Sequence, residues 1–295
     1  MENLYPKFER NRILKKEQLL AMRDRCYGYI ETEYQEYGEG ILMGCEVRVE
    51  DQELVVGPGM LKFGRFICLL AEEERIGYGP KEGVQYLKLR GKGDRDSPDG
   101  VVYKMALVLE MEENRDGRKN RGEEKTREKR RKARGEEENR MGVRAKNEGR
   151  SEWDEGEYDY ELCRFHLRDG ARLRQEYTDF YDMETEYDTV NVIHGSWSGL
   201  GGKGISPCVT RRFAEELLSK ERLDGEDYGF AYQCLCQRGA MPMKAVEAYI
   251  RRRTGEEIAG RERAYGMLCR ILEEAGGKRR RSGGNGKGRR QILVD

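Results

Sequence analysis

His194 stands two residues before Ser196, a base close to a hydroxyl nucleophile. Acyl transfer on such a pair needs the serine on a G-x-S-x-G elbow, and Trp197 and Ser198 follow instead. The glycine-rich run Gly195 to Gly204 contains Lys203 and invites a phosphate cradle. A P-loop needs a glycine five residues ahead of its Gly-Lys pair and a serine or threonine directly after the lysine. Those positions hold Trp197 and Gly204, so nucleotide hydrolysis by that route is excluded. Gly199–204 is expected to be a flexible connection. Asp94, Asp96 and Asp99 have the spacing of a calcium loop, but Pro98 occupies a ligand position, and Pro98-Asp99-Gly100 is ordinary turn chemistry.

Asp179, Asp182, Glu184, Glu186 and Asp188 form the densest acidic cluster and could hold a cation. With 56 Asp and Glu in the chain, however, close acid pairs arise by chance. Aromatic residues interleave with these acids. Tyr177, Phe180, Tyr181, Asp182 and Tyr187 are therefore expected to form a protein–protein contact surface. The 8 cysteines are spread along the chain, most in apolar stretches, as expected of buried, reduced thiols. Cys234-Leu235-Cys236 lacks a zinc-knuckle spacer, and only 2 histidines are present. No catalytic set, metal site or cofactor is expected, and the chain is read as non-enzymatic.

Lys and Arg total 56, so the formal net charge is +0. A balanced chain has no global pull toward nucleic acid or membrane, and any such pull must be local. Two segments are locally basic: Lys129-Arg130-Arg131-Lys132, and the glycine-rich tail with Arg279, Arg280 and Arg281. They are the candidate nucleic-acid contacts. Residues 112–156 hold almost no apolar side chains and are expected to be a disordered charged insertion, as is the basic tail 276–295. No apolar run is long enough to span a bilayer. Neither is there a signal pattern at the N-terminus, so the expected location is the cytoplasm or an assembled particle.

The expected architecture is α+β. An N-terminal helix over 14–37 carries Leu19, Met22, Cys26, Ile30 and Tyr34 at helical spacing. A small antiparallel β-structure follows, with strand signals at 41–49, 54–56, 60–71, 84–89, 101–111 and 158–168. The last two are expected to pair as a hairpin whose loop is the charged insertion. Residues 1–111 and 157–195 would then make the helix-plus-β domain. Residues 206–275 would make a C-terminal four-helix domain. Ser206-Pro207 opens its first helix, Glu226 to Arg238 is the second, Pro242 starts the third, and Thr254-Gly255-Glu256-Glu257 reads as the capping box of the fourth. The tyrosines and phenylalanines of these helices are expected in the core.

The helix from Ile13 to Leu19, the run Tyr37-Gly38-Glu39-Gly40-Ile41-Leu42-Met43-Gly44 and the turn Gly57-Pro58-Gly59 resemble the N-terminal docking region of phage-tail and contractile-injection baseplate proteins. The stretches Arg164 to Leu167, Gly170 to Arg174, Tyr177 to Phe180 and Tyr187 to Asn191 fit the same structural class. The resemblance covers about half of the chain and rests on pattern. It implies an assembly component of a tail or injection apparatus, in contact with other tail or baseplate proteins in an oligomeric particle.

Overall fold

The computed structural model describes residues 13, 15–64, 66–94, 102–111 and 157–276. Among them are five α-helices and four small antiparallel sheets, so the chain mixes helix and antiparallel sheet as its sequence suggests. Helix α1 is Lys16–Glu33. Six short strands follow: β1 Gly40–Gly44, β2 Val47–Glu50, β3 Glu53–Val56, β4 Gly59–Phe63, β5 Phe66–Leu70 and β6 Glu74–Gly77. They sort into two interleaved sheets, β1-β4-β5 and β2-β3-β6. The switch between sheets happens at Gly44 and Cys45, both at positive φ (67° and 53°). There a kink carries the chain from β1 into β2, and Cys45 N donates to Pro58 O at 3.1 Å.

The longest strands are β7 Gln85–Asp94, β8 Val102–Met111 and β9 Glu157–Phe165. The expected hairpin between β8 and β9 does not form. Strand β7 lies between them, in the order β8-β7-β9, and pairs antiparallel with both. Hence β8 and β9 run parallel to each other. The cause is local: β8 folds back on the strand just before it, which leaves the far edge of β7 for β9. Across the three strands Lys88 and Arg90 of β7 face Glu110 on one side and Asp159 on the other, at 2.5–3.2 Å. These alternating charges fix the register on the outer face, while Leu87 and Leu89 point into the core.

The C-terminal helices are α2 Pro207–Leu218, α3 Gly225–Cys236, α4 Met243–Thr254 and α5 Arg261–Ala275. Helix α2 starts where its residues predict, with Ser206 Oγ accepting from Cys208 N and Pro207 at the first helical position. The capping box expected at Thr254 is overturned. Thr254 Oγ1 donates to Ile250 O, and Gly255 at φ 76° closes α4 as a left-handed cap. These residues end one helix, and α5 begins only at Arg261. The glycine run is likewise not a flexible link. Ser198–Gly199 (β10) and Gly202–Ile205 (β11) form a hairpin that pairs with Met241–Pro242 (β12). A Cβ on Gly204 would sit 2.7 Å from Ala240 Cβ, so this close approach requires glycine.

Two hydrophobic clusters result. One is built on the strands, with Ile41, Leu54, Leu61, Phe63, Leu87 and Leu162. The other is built on α2 to α5, with Phe213, Leu217, Val246, Ile250, Leu268 and Ile271, and it also takes in Phe180 and Met183 from upstream. Val192 packs against both clusters. Arg261, at the start of α5, ties them together. Its Nε donates to Gly204 O at 2.8 Å and its Nη2 to Trp197 O at 2.6 Å.

Candidate functional site

Among the described residues two regions could serve a function, the aromatic-acidic segment and helix α1. In the first, two of the acids are held by arginines. Arg174 grips Asp182 in a bidentate pair, Nη1 to Oδ2 and Nη2 to Oδ1, both at 2.6 Å. Asp182 also accepts from Thr178 N at 2.9 Å and Thr185 Oγ1 at 2.7 Å. Asp188, at φ 57°, accepts from the Arg168 backbone N–H and from both Arg168 Nε and Nη2. Among the described residues no group of three or more His, Cys, Asp or Glu could hold a metal ion. The cluster acts as a set of staples that shape the loop.

The five expected contact residues part company. Phe180 is solvent-excluded and packs edge-on against Phe213 at 5.6 Å and close to Tyr265 at 4.8 Å. It is a core residue, because the loop is anchored by inserting this ring among the helices. Tyr177 is half-buried and donates to Val190 O at 2.6 Å. Asp182 is engaged by Arg174. Tyr181 and Tyr187 are exposed, at 38% and 36%. Tyr181 caps Cys269 O, and Tyr187 lies against His166 with the Arg168 guanidinium over its ring. Lys129 to Lys132 and Arg279 to Arg281 lie outside the described residues.

Arg174 holds the Asp182 carboxyl well below the usual carboxylate range. For Asp188, burial alone would raise the pKa, but the donors of Arg168 outweigh it and the net direction is down. A depressed folded value means stability that is complete above the unfolded pKa, about 3.9 for aspartate, and lost as pH falls beneath it. Amide protection of residues 174–189 is therefore expected to drop selectively below about pH 4, ahead of β7. Uniform loss across both regions in pH-dependent hydrogen exchange would refute this assignment.

His194 and Ser196 are not joined. Ser196 Oγ accepts from Glu161 N at 3.1 Å, whereas His194 Nδ1 lies 3.6 Å from Glu262. Burial and the nearby Arg164 push the imidazole pKa down. Of the cysteines, Cys45, Cys68, Cys163 and Cys234 are buried. Burial pushes the Cys45 and Cys234 thiols up to about 12 and Cys68 to about 11, so at neutral pH they are poor nucleophiles. Cys26, Cys208 and Cys236 are exposed, against expectation.

No protein-family model matches the sequence, and neither does any curated protein. A crystal structure of TssK superposes over 93% of this chain and 69% of its own, with a TM-score of 0.35 and 9% identity. So loose a superposition assigns neither fold nor function.

Helix α1 lies where the helical spacing places it. The helix forms, yet none of its residues is buried. Leu19, Met22, Tyr27 and Tyr29 are 51%, 43%, 62% and 71% exposed, and Ile13 just ahead is 89% exposed. The two tyrosines lie off the Leu19–Met22–Cys26–Ile30 stripe, so apolar side chains are spread around the helix. That spread is the signal in the sequence that this is not a simple core-facing helix. Its C-terminal end is nonetheless pinned. Lys62 is buried, and its Nζ donates to Tyr34 O, Gln35 O and Tyr37 O at 2.7, 3.2 and 2.7 Å. An ammonium at this end is favoured by the helix dipole and satisfies carbonyls that have no partner in the helix.

Proposed function

We propose that this chain is a non-enzymatic assembly component of a phage-tail-like or contractile-injection baseplate, and that it docks onto a neighbouring subunit through α1. The observation that carries this reading is α1 itself. A helix of 18 residues with no buried side chain gains little from tertiary packing, and helices of that length are marginal alone in water. Here one end is fixed by Lys62 while the apolar side chains face outward, the state of a helix that a partner covers. The resemblance of residues 13–71 to baseplate docking regions agrees with this. The reading rests on α1. Tyr181 and Tyr187 would add a second contact, and an oligomeric particle would be the working form.

The test is co-purification with tail or baseplate subunits encoded beside this chain. Leu19→Glu with Met22→Glu is expected to abolish it, because charge replaces the apolar anchors of a helical interface. Circular dichroism and thermal midpoint should barely change, since both side chains are exposed. Undiminished co-purification of the double variant would sink the role given to α1.

A further inference from the structure

A cleft of about 550 Å³ opens between the β-cluster and α2. That is the size of a small-molecule site. Its inner wall is apolar: Leu162, Val190 and Trp197 are buried, and Tyr177 and Val192 are half-buried. Three arginines line the other side, Arg211 and Arg212 from α2 and Arg238 just past α3.

The hydrogen-bond partners given for these arginines are neutral carbonyl oxygens, and one carboxylate, Glu215, stands at the outer limit of an ion pair with Arg212. Arg211 Nη2 donates to Gln237 O at 2.9 Å. Arg212 Nη2 donates to Tyr177 O at 3.0 Å and to Thr178 O at 2.6 Å. A carbonyl orients a guanidinium without cancelling its charge. Glu215 Oε2 stands 3.9 Å from Arg212 Nη1, beyond hydrogen-bond range. Arg212 Nε is buried and has no hydrogen-bond partner among the described residues. A buried donor on a charged group is costly to leave unmatched. Arg48 also lines the cleft but is engaged by Glu50 and Glu73. Glu46, Glu176 and Glu215 are exposed and sit on its rim.

We infer that this cleft binds a small apolar carboxylate, its hydrocarbon body against Leu162, Tyr177 and Val192 and its carboxylate on Arg212, with Arg211 and Arg238 beside it. Planar guanidinium groups with free donors match a carboxylate, and a low-polarity wall strengthens the pair. This site is independent of α1 and of the assembly role.

The probe is 11-(dansylamino)undecanoic acid, compared with its methyl ester, which has the same body and no charge. With the full chain, the acid is expected to give a saturable fluorescence rise and to bind about tenfold or more tighter than the ester. Arg212→Met should erase that preference and leave ester binding in place. Arg238→Gln changes an exposed side chain and tests the charge without touching the fold, should Arg212→Met fail to fold; it too should narrow the preference. Cys208→Trp, at an exposed position on the cleft wall, should block both probes. Absence of saturable binding, equal affinity for acid and ester, or full binding by the Cys208→Trp protein would overturn the assignment.

Discussion

Replacing Asp227 with alanine is expected to lower the unfolding free energy by about 3–5 kcal/mol, the cost of removing one member of a buried ion pair. Asp227 is fully buried near the start of α3. Its Oδ1 accepts from Tyr249 Oη at 2.8 Å and Arg253 Nε at 3.2 Å, and its Oδ2 accepts from Asp224 N at 3.1 Å. Asp224 returns the contact by accepting from Glu226 N and Asp227 N, which closes a capping box. One carboxylate therefore ties the start of α3 to the end of α4. Alanine would leave a phenol, a guanidinium and a backbone N–H without that partner. Tyr249 also stacks on Phe230 with ring centroids 4.0 Å apart, so its displacement would disturb the aromatic centre of the helical cluster. Urea unfolding followed by tyrosine fluorescence measures the loss. Asp227→Asn keeps the acceptor without the charge and should recover a good part of it. An alanine variant within about 1 kcal/mol of the parent would show that the network contributes little.

What the chain discloses by itself follows how local each determinant is. Ser206-Pro207 starts α2 because the cap and the first turn lie within four residues, and the sequence shows both. The strand signals at 54–56, 84–89 and 101–111 are equally local, and strands lie there. Pairing is different. Nothing in Val102 to Met111 says that its partner is β7 and not β9, since both candidates alternate in the same way. Proximity along the chain decided it, and the charged insertion drew attention to the wrong pair. Thr254 to Glu257 shows the same limit in a turn: a threonine followed by a glutamate fits a helix start, but the left-handed Gly255 makes it a helix end.

Burial is the least legible property, and it separates the contact residues. Tyr228 and Tyr232 of α3 are exposed and stack on each other at 6.4 Å, while Tyr249 and Tyr265 are buried. All four lie in helices, and how each helix packs in the bundle determines which ring faces inward. Phe180 sits among acids and looks like surface, yet the Arg174–Asp182 staple turns its ring inward among the helices. For α1 the apolar stripe is visible in the sequence, but nothing in it tells whether the covering surface belongs to the same chain. That ambiguity is what makes α1 informative, because its exposed apolar side chains have no cover among the described residues.

Gly40→Ala is expected to be comparably severe, for a reason that lies in the backbone. Gly40 has φ 127°, a conformation L residues rarely adopt, and a Cβ there would fall 2.3 Å from Ser196 O. That oxygen is the acceptor for Ile41 N at 2.8 Å. The same junction includes Ser198 Oγ donating to Gly38 O at 2.7 Å and Gly201 N donating to Glu36 O at 2.9 Å. Alanine would have to take two courses at once: adopt the strained conformation, at about 1–3 kcal/mol, and push the 196–198 segment away. The second course leaves the buried Ile41 amide without its acceptor, for about 1–3 kcal/mol more. The combined cost is roughly 2–6 kcal/mol. Because this contact joins the chain just after α1 to the hairpin that Arg261 holds, the damage should reach both clusters. Hydrogen exchange should show β1 and β10 losing protection together. A Gly40→Ala protein with unchanged denaturant midpoint would mean that this junction tolerates a side chain, and the link between the α1 platform and the helical part would have to lie elsewhere.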